Sequence, residues 1–326
     1  MKNAILIASA ILPSPIRVLI LKAMGANIGV GVRLGIGSLI IFKDKLHIGK
    51  HTKIGSASVL ICNEAEIGQY SEITPATMIQ VPKVRIGRDC KISFGSIIRS
   101  GHTTQRSELV IGDLVHVFPF AMIDCSRKVE IQDGTGIGPH CSIFTHSSYK
   151  SVLQGYNVTY ADVRIGSRVE LTYNVFVAPG VSIGDDAICA YGAYVNKDVE
   201  PGVMVAGMPA KVKRTRDQFV RNLDQSEKIA TLDAIIEDYR NNIQILSGRL
   251  PIDIQIVTSE EDYIIPKKAA YVLLDSSLRS PNSGTFAVFD VTRGVAYNRG
   301  LDKADYMGIR KYLSRYGIRF LSEGGE

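Results

Sequence analysis

The first two-thirds of this chain are predicted to form a parallel β-helix, and three observations carry that prediction. An aliphatic residue recurs at every sixth position in a single phase: Ile28, Leu34 and Ile40, then Ile48, Ile54 and Leu60, then Ile67, Ile73 and Ile79, then Ile86, Ile92 and Ile98. The phase resumes through Ile111, Val117 and Ile123, then Ile131, Ile137 and Ile143, then Ile165, Leu171 and Val177, and last Ile183, Cys189 and Val195. Glycine very often follows the aliphatic residue, and the long departures from an even step are insertions after which the phase returns. A period of six is neither the ~3.6 of a helix nor the two of a single strand. It is the period of a solenoid in which three short strands make one triangular coil.

Each hexad then supplies a short strand and a corner. The aliphatic side chain points into the prism and stacks on its counterpart one coil away. The small residue after it lets the chain turn where a side chain would clash. One coil cannot bury its aliphatic faces alone, so stability grows with the stack. About eight coils start at 28, 48, 67, 86, 111, 131, 165 and 183, giving a prism of roughly 38 Å at a strand spacing of ~4.8 Å. The step from 86 to 111 carries an insertion, Ser100-Gly101-His102-Thr103-Thr104-Gln105-Arg106. The step from 131 to 165 carries a longer one within His146 to Arg164. In a solenoid, insertions leave the stack as loops, often on the binding face.

The organisation expected is a capping region over 1–27, the β-helix over 28–214, a helical linker over 215–250 and a small α/β module over 251–326. Ala4–Leu12 is apolar but too short to span a bilayer, and the stretch before Ala8-Ser9-Ala10 is too short for a secretory signal. A helix is expected instead from Ser14, with Pro15 in its first turn and Gly25 at its stop. Two readings of it stand open: a cap over the open end of the solenoid, and an interfacial helix in peripheral contact with the inner membrane. After Val195 the hexads give way to an extended exit strand, PGVMVAGMPAKVKR over 201–214. A helix follows over 215–246. Strands are expected at Ile252–Thr258, Ala270–Leu274, Thr285–Val291 and Ile318–Leu321, with a helix at Asp302–Tyr316. Tyr263, Tyr271, Tyr297 and Tyr306 of this module are read chiefly as core residues.

The chain has 326 residues and a formal net charge of +6. This mild excess, with KVKR at 211–214, suits a phosphate-bearing small ligand. No interleaving of aromatic and basic residues points to nucleic acid. The five cysteines (62, 90, 125, 141 and 189) show no metal-ligand spacing and read as small fillers in a reducing compartment. A cytoplasmic location is therefore expected.

The hexads IGSRVELTYNVFVAPGVSIGDDAICAYGAYVNKDVE from Ile165, followed by the AGMPAK exit, resemble the closing coils of the hexapeptide-repeat acyltransferases. The likeness is greatest to the sugar and polysaccharide O-acetyltransferases. Ile123-Asp124 and the run Ile137-Gly138-Pro139 to Ser142-Ile143-Phe144-Thr145-His146 resemble the segment leading to that family's catalytic histidine. The resemblance covers about residues 25 to 214. It implies a left-handed helix, acetyl-CoA as donor, a homotrimer with the donor in the groove between prisms, and a histidine acting as general base on the acceptor. That chemistry is sound, because a hydroxyl attacks a thioester poorly unless a base takes its proton in the transition state.

On this resemblance His146 is the candidate base and Asp124, one coil above on the same face, its acidic partner. His140 and His102 are rivals for the base. Acceptor-side candidates are His116, Tyr149 and Asn174. Donor-side candidates are Gly192, Ala193, Lys197, Gly207, Ala210, Lys211 and Arg214. His116 stands where the family often has Asn, and the chain lacks tryptophan altogether. A zinc site would have to draw on His116, His140 and His146, whose places in the repeat differ, so no metal is expected. The activity expected is O-acetylation of a sugar hydroxyl in a surface polysaccharide or glycolipid precursor. The alternatives are N-acylation of an amino-sugar nucleotide and a non-catalytic assembly role.

Overall fold

The computed structural model describes residues 2–247, 252–259, 268–275, 277–278 and 284–322. The chain divides into two compact units, Met1–Val220 and Arg221–Glu326.

The first unit is a parallel β-helix, and its rungs are set by the six-residue phase. On one face Ile28 pairs with Ile48, Ile48 with Ile67, Ile67 with Ile86, Ile86 with Ile111, Ile111 with Ile131, Ile131 with Ile165 and Ile165 with Ile183. The second face stacks Leu34, Ile54, Ile73, Ile92, Val117, Ile137, Leu171 and Cys189 in the same way. The third stacks Ile40, Leu60, Ile79, Ile98, Ile123, Ile143, Val177 and Val195. All of these side chains belong to one buried core. Both insertions leave the stack without shifting its phase.

Outward positions reinforce the register. Lys45 pairs with Glu64, Glu64 with Lys83 and Lys83 with Glu108, so charge alternates from rung to rung. A slip of one coil would set like charges side by side, which is unfavourable. The corners are tight. A Cβ on Gly138 would lie 1.2 Å from the Thr172 carbonyl oxygen of the next coil.

Two short helices, Lys2–Ala8 and Ser14–Ala23, lie against the first coil. Leu6 and Leu21 join the solenoid core. The second is the helix expected from Ser14, with Pro15 in its first turn and Gly25 at φ +91° beyond its end. Ser14 does not cap it. Its Oγ accepts instead from the Leu34 backbone N–H at 2.9 Å. The exit strand is half of a hairpin: Val203–Ala206 continues the second face, and Lys211–Thr215 returns antiparallel along it. All five cysteines are buried and free.

The second unit carries a five-stranded sheet, in the order Asp253–Val257, Lys268–Leu273, Thr285–Asp290, Val295–Arg299 and Leu321–Ser322. The first three strands run parallel and the fourth is antiparallel to the third. Val295–Arg299 was not read from the sequence, since AYNR has no alternation to mark it. The helix Gln225–Ser247 is not a linker, which corrects the expectation over 215–250. Its Leu232, Ile235, Ile236 and Tyr239 pack with Ile309 and Leu313 of the helix Lys303–Arg315 and with Ala270, Val272, Ala287 and Phe289 of the sheet. Its spaced aliphatics are a core stripe. Tyr271 and Tyr306 are core residues of two separate clusters, and Tyr297 packs against the one that holds Tyr271. Tyr263 lies outside the described residues.

Because the Gly138 corner has no room for a methyl group, Gly138→Ala should destabilise the solenoid by about 3 kcal/mol or more, the scale of backbone-level clashes in a packed interior. The check is thermal or urea unfolding. A variant that unfolds like the parent would mean the corner can open.

Candidate active site

The candidate site is built on three successive rungs of one corner. Strand register places Arg99, Asp124 and then the residues after Ile143 in one column. The shorter insertion leaves the stack after Arg99 and the longer one after Thr145, so the two insertions flank Asp124 from both sides. The longer one begins as a β-hairpin, with His146 opposite Tyr160 and Ser147 opposite Thr159.

His146 and Asp124 meet. The imidazole Nδ1 lies 2.8 Å from Asp124 Oδ1. Asp124 is 5 % exposed, and its two oxygens take four further hydrogen bonds. Thr145 Oγ1 donates to Oδ1 at 2.8 Å and the Ser126 N–H at 3.2 Å; Ser126 Oγ donates to Oδ2 at 3.1 Å and the Gly101 N–H at 3.2 Å. Burial opposes ionisation of this carboxyl. The hydrogen bonds from His146, Thr145, Ser126 and Gly101 outweigh it and hold the group below the usual carboxylate range. A carboxylate only accepts, so His146 Nδ1 carries the donated proton and Nε2 is the nitrogen left to take one. Gly101 is small enough to let the shorter insertion close over this pair: a Cβ there would stand 3.3 Å from Asp124 Oδ2 and 3.6 Å from His146 Cε1.

Aromatic rings fix the imidazole. Tyr160 stacks on His146 with centroids 5.7 Å apart and planes 14° apart, and the Arg127 guanidinium lies 4.8 Å from the Tyr160 centroid. His102 meets His146 edge-on at 5.2 Å. His102 is thus beside the dyad, held by its backbone N–H to Ser126 Oγ at 3.0 Å. His140 is on a different edge, between Phe120 and Tyr173 at centroid distances of 5.2 and 5.4 Å.

The remaining expected residues divide. His116 lies on the second face, stacked on Phe118 at 3.8 Å with Nε2 2.9 Å from Ser93 Oγ. It is not brought to the dyad, and among the described residues no three metal-ligating side chains converge. Asn174 stands at a corner with φ +62°, a conformation Asn tolerates better than most residues. Tyr149 is 98 % exposed at the tip of the longer insertion. On the donor side, Ala193 is 1 % exposed and belongs to the core. Gly192 (φ +67°) and Gly207 (φ +95°) occupy tight turns. Ala210 packs against the core, while Lys197, Lys211 and Arg214 are exposed.

The structure adds a feature that the sequence reading missed. Phe144, Phe176 and Tyr194 stack down the third face at centroid spacings of 5.4 and 5.6 Å, with Phe144 6.3 Å from His146. At the far end the Ala210 N–H donates to the Tyr194 carbonyl at 2.8 Å. One strip of rings therefore runs from the dyad to the hairpin that carries Lys211 and Arg214. These rings occupy outward positions flanking the aliphatic ones, and that alternation is the signal that could have found them.

No protein-family model matches the chain. Similar proteins do. A putative acetyltransferase of Saccharomyces cerevisiae is 32% identical over 178 residues, which is 52% of this chain and 83% of that protein. This chain belongs to the hexapeptide-repeat acetyltransferase family. Within the family, nodulation protein L of Rhizobium meliloti is 41% identical over 127 residues, 38% of this chain and 69% of that protein. Galactoside O-acetyltransferase of Escherichia coli is 32% identical over 151 residues, 46% of this chain and 63% of that protein. The enzyme is accordingly an acyltransferase, as the resemblance implies.

The native pKa of Asp124 is depressed. Its stabilisation is therefore present in full above the ordinary carboxylate range and is lost as pH falls through the native value. The stability gap between the parent and Asp124→Asn should be widest near neutrality and shrink below about pH 4. Urea unfolding at a series of pH values checks this. A gap that stays constant into acid would mean the carboxylate charge is not what the five donors hold.

Proposed function

We propose that this enzyme transfers an acetyl group from acetyl-CoA to a sugar hydroxyl, in a surface polysaccharide or glycolipid precursor, with His146 as general base. The hydrogen bond from His146 Nδ1 to Asp124 is the observation that carries the reading. With Nδ1 committed as a donor, Nε2 takes the proton of the acceptor hydroxyl as its oxygen attacks the thioester carbon. The C–S bond breaks as the tetrahedral intermediate collapses. The imidazolium then returns its proton to the departing CoA sulfur. Asp124 holds the tautomer and stabilises the imidazolium charge. It is a positioning residue. Tyr160 and His102 confine the ring from two sides.

The strip Phe144–Phe176–Tyr194 suits the pantetheine arm, and the exposed Lys211 and Arg214 at its end suit the CoA phosphates. A sugar acceptor accords with the names of two relatives, a galactoside O-acetyltransferase of Escherichia coli and a putative colanic acid biosynthesis acetyltransferase of the same organism. We also propose the homotrimer, in which a neighbouring prism closes the donor groove along the third face.

Two outcomes are expected. His146→Ala should lower kcat for acetyl transfer by about 10²–10⁴-fold, the contribution of a general base, while acetyl-CoA binding measured by calorimetry is nearly unchanged. Retention of most activity would move the base to His102, the other imidazole at the site. Light scattering at micromolar concentration should give three times the chain mass. A fully active monomer would overturn the shared donor groove.

A further inference from the structure

We infer that the N-terminal helices form a docking surface for an anionic lipid membrane. The helix Ser14–Ala23 buries Leu21 in the usual way, but its first turns are inverted for a helix facing water. Its arginine points inward: Arg17 is 2 % exposed, with its guanidinium donating to the carbonyl oxygens of Gly35, at 2.6 Å, and Ser38. Two of its aliphatic residues point outward: Ile16 is 46 % and Leu19 67 % exposed, while Leu21 is buried against the first coil. Burial without a carboxylate partner lowers the Arg17 pKa, so this orientation is held against an electrostatic penalty. The preceding segment continues the surface, with Ile7 at 54 % and Ile11 at 76 % exposed.

The first coil extends it. Its corner residues Val30 and Ile36 are 74 % and 68 % exposed, whereas the second coil stacks Lys50-His51 and Ser56-Ala57 at the same corners. The sequence of this end is basic. Residues 1–43 contain Lys2, Arg17, Lys22, Arg33 and Lys43 and not one Asp or Glu; the first acid is Asp44. Lys22, Arg33 and Lys43 are exposed.

Exposed branched aliphatics on an end that also exposes Lys22, Arg33 and Lys43 are what an interface of acyl chains and anionic headgroups binds. A second copy of this end would bring like charges together, which disfavours the homotypic alternative. No described helix is long and apolar enough to cross a membrane, so the contact lies in the headgroup region. It would hold the acetyltransferase against the surface where a lipid-linked acceptor resides. The docking itself does not depend on the acceptor.

The test is co-sedimentation of the enzyme with vesicles of phosphatidylcholine alone and of phosphatidylcholine with phosphatidylglycerol. Binding is expected on the phosphatidylglycerol vesicles, weakened by high salt, and reduced about tenfold or more in Ile16→Glu/Leu19→Glu. These side chains are exposed, so the variant should keep the parent's circular dichroism and unfolding midpoint. Lys22→Glu should weaken binding in low salt only. Equal binding of the parent and the double variant, or no binding of the parent to phosphatidylglycerol vesicles, overturns the inference. So does apolar self-association in light scattering that the double variant abolishes while vesicle binding is absent.

Discussion

Everything in the solenoid unit depends on one constraint: every coil must present an aliphatic side chain at the same height and angle as the coil before it. Backbone hydrogen bonds run from coil to coil, so a rung out of register would lose both its pairing and its place in the core. The constraint is strict for the faces and lax for the corners. Extra residues can leave the stack only there, and the chain must re-enter in phase. Two insertions that leave from the same corner are then forced into the same neighbourhood. The cover over Asp124 is the product of that geometry, since the rung between the insertions is flanked by both.

Burial of an acid follows directly. Asp124 sits at an outward position that would be exposed in a bare coil, and Gly101, His102 and the start of the longer insertion close over it. A covered carboxylate needs donors, and five are supplied, two of them backbone N–H groups, Ser126 at the corner and Gly101 in the shorter insertion. Rigid donors hold the carboxylate still. A still carboxylate holds His146 in one tautomer. Positioning of the imidazole thus rests on main-chain geometry as much as on side-chain chemistry.

Much of this was legible in the residues. The phase through Ile28, Ile48 and their successors determined every rung, and the same phase put Asp124 and His146 on one face. Tyr160 was not legible, because it sits in an insertion without periodicity and reaches His146 only through a short hairpin. His116 and Asn174 were acceptor-side candidates at positions where the chain departs from the family's pattern. His116 contacts Ser93 and Phe118, and Asn174 stands at a left-handed corner. The helix Gln225–Ser247 looked like a connector because its many charges drew attention from the stripe of Leu232, Ile235, Ile236 and Tyr239. Periodicity reveals which face is apolar. It does not reveal what that face will cover.

The five free cysteines lie at separate heights inside the prism, from Cys62 near one end to Cys189 near the other. Burial pushes the thiols of Cys62, Cys90 and Cys189 up to about 12 and that of Cys141 to about 11, so in the closed stack they are neither nucleophiles nor oxidation targets. A coil must part from its neighbour before its thiol can react. The enzyme therefore carries its own set of graduated gauges. The order in which these sulfurs yield to an alkylating reagent would trace where the stack frays first and how far the fraying travels along the axis.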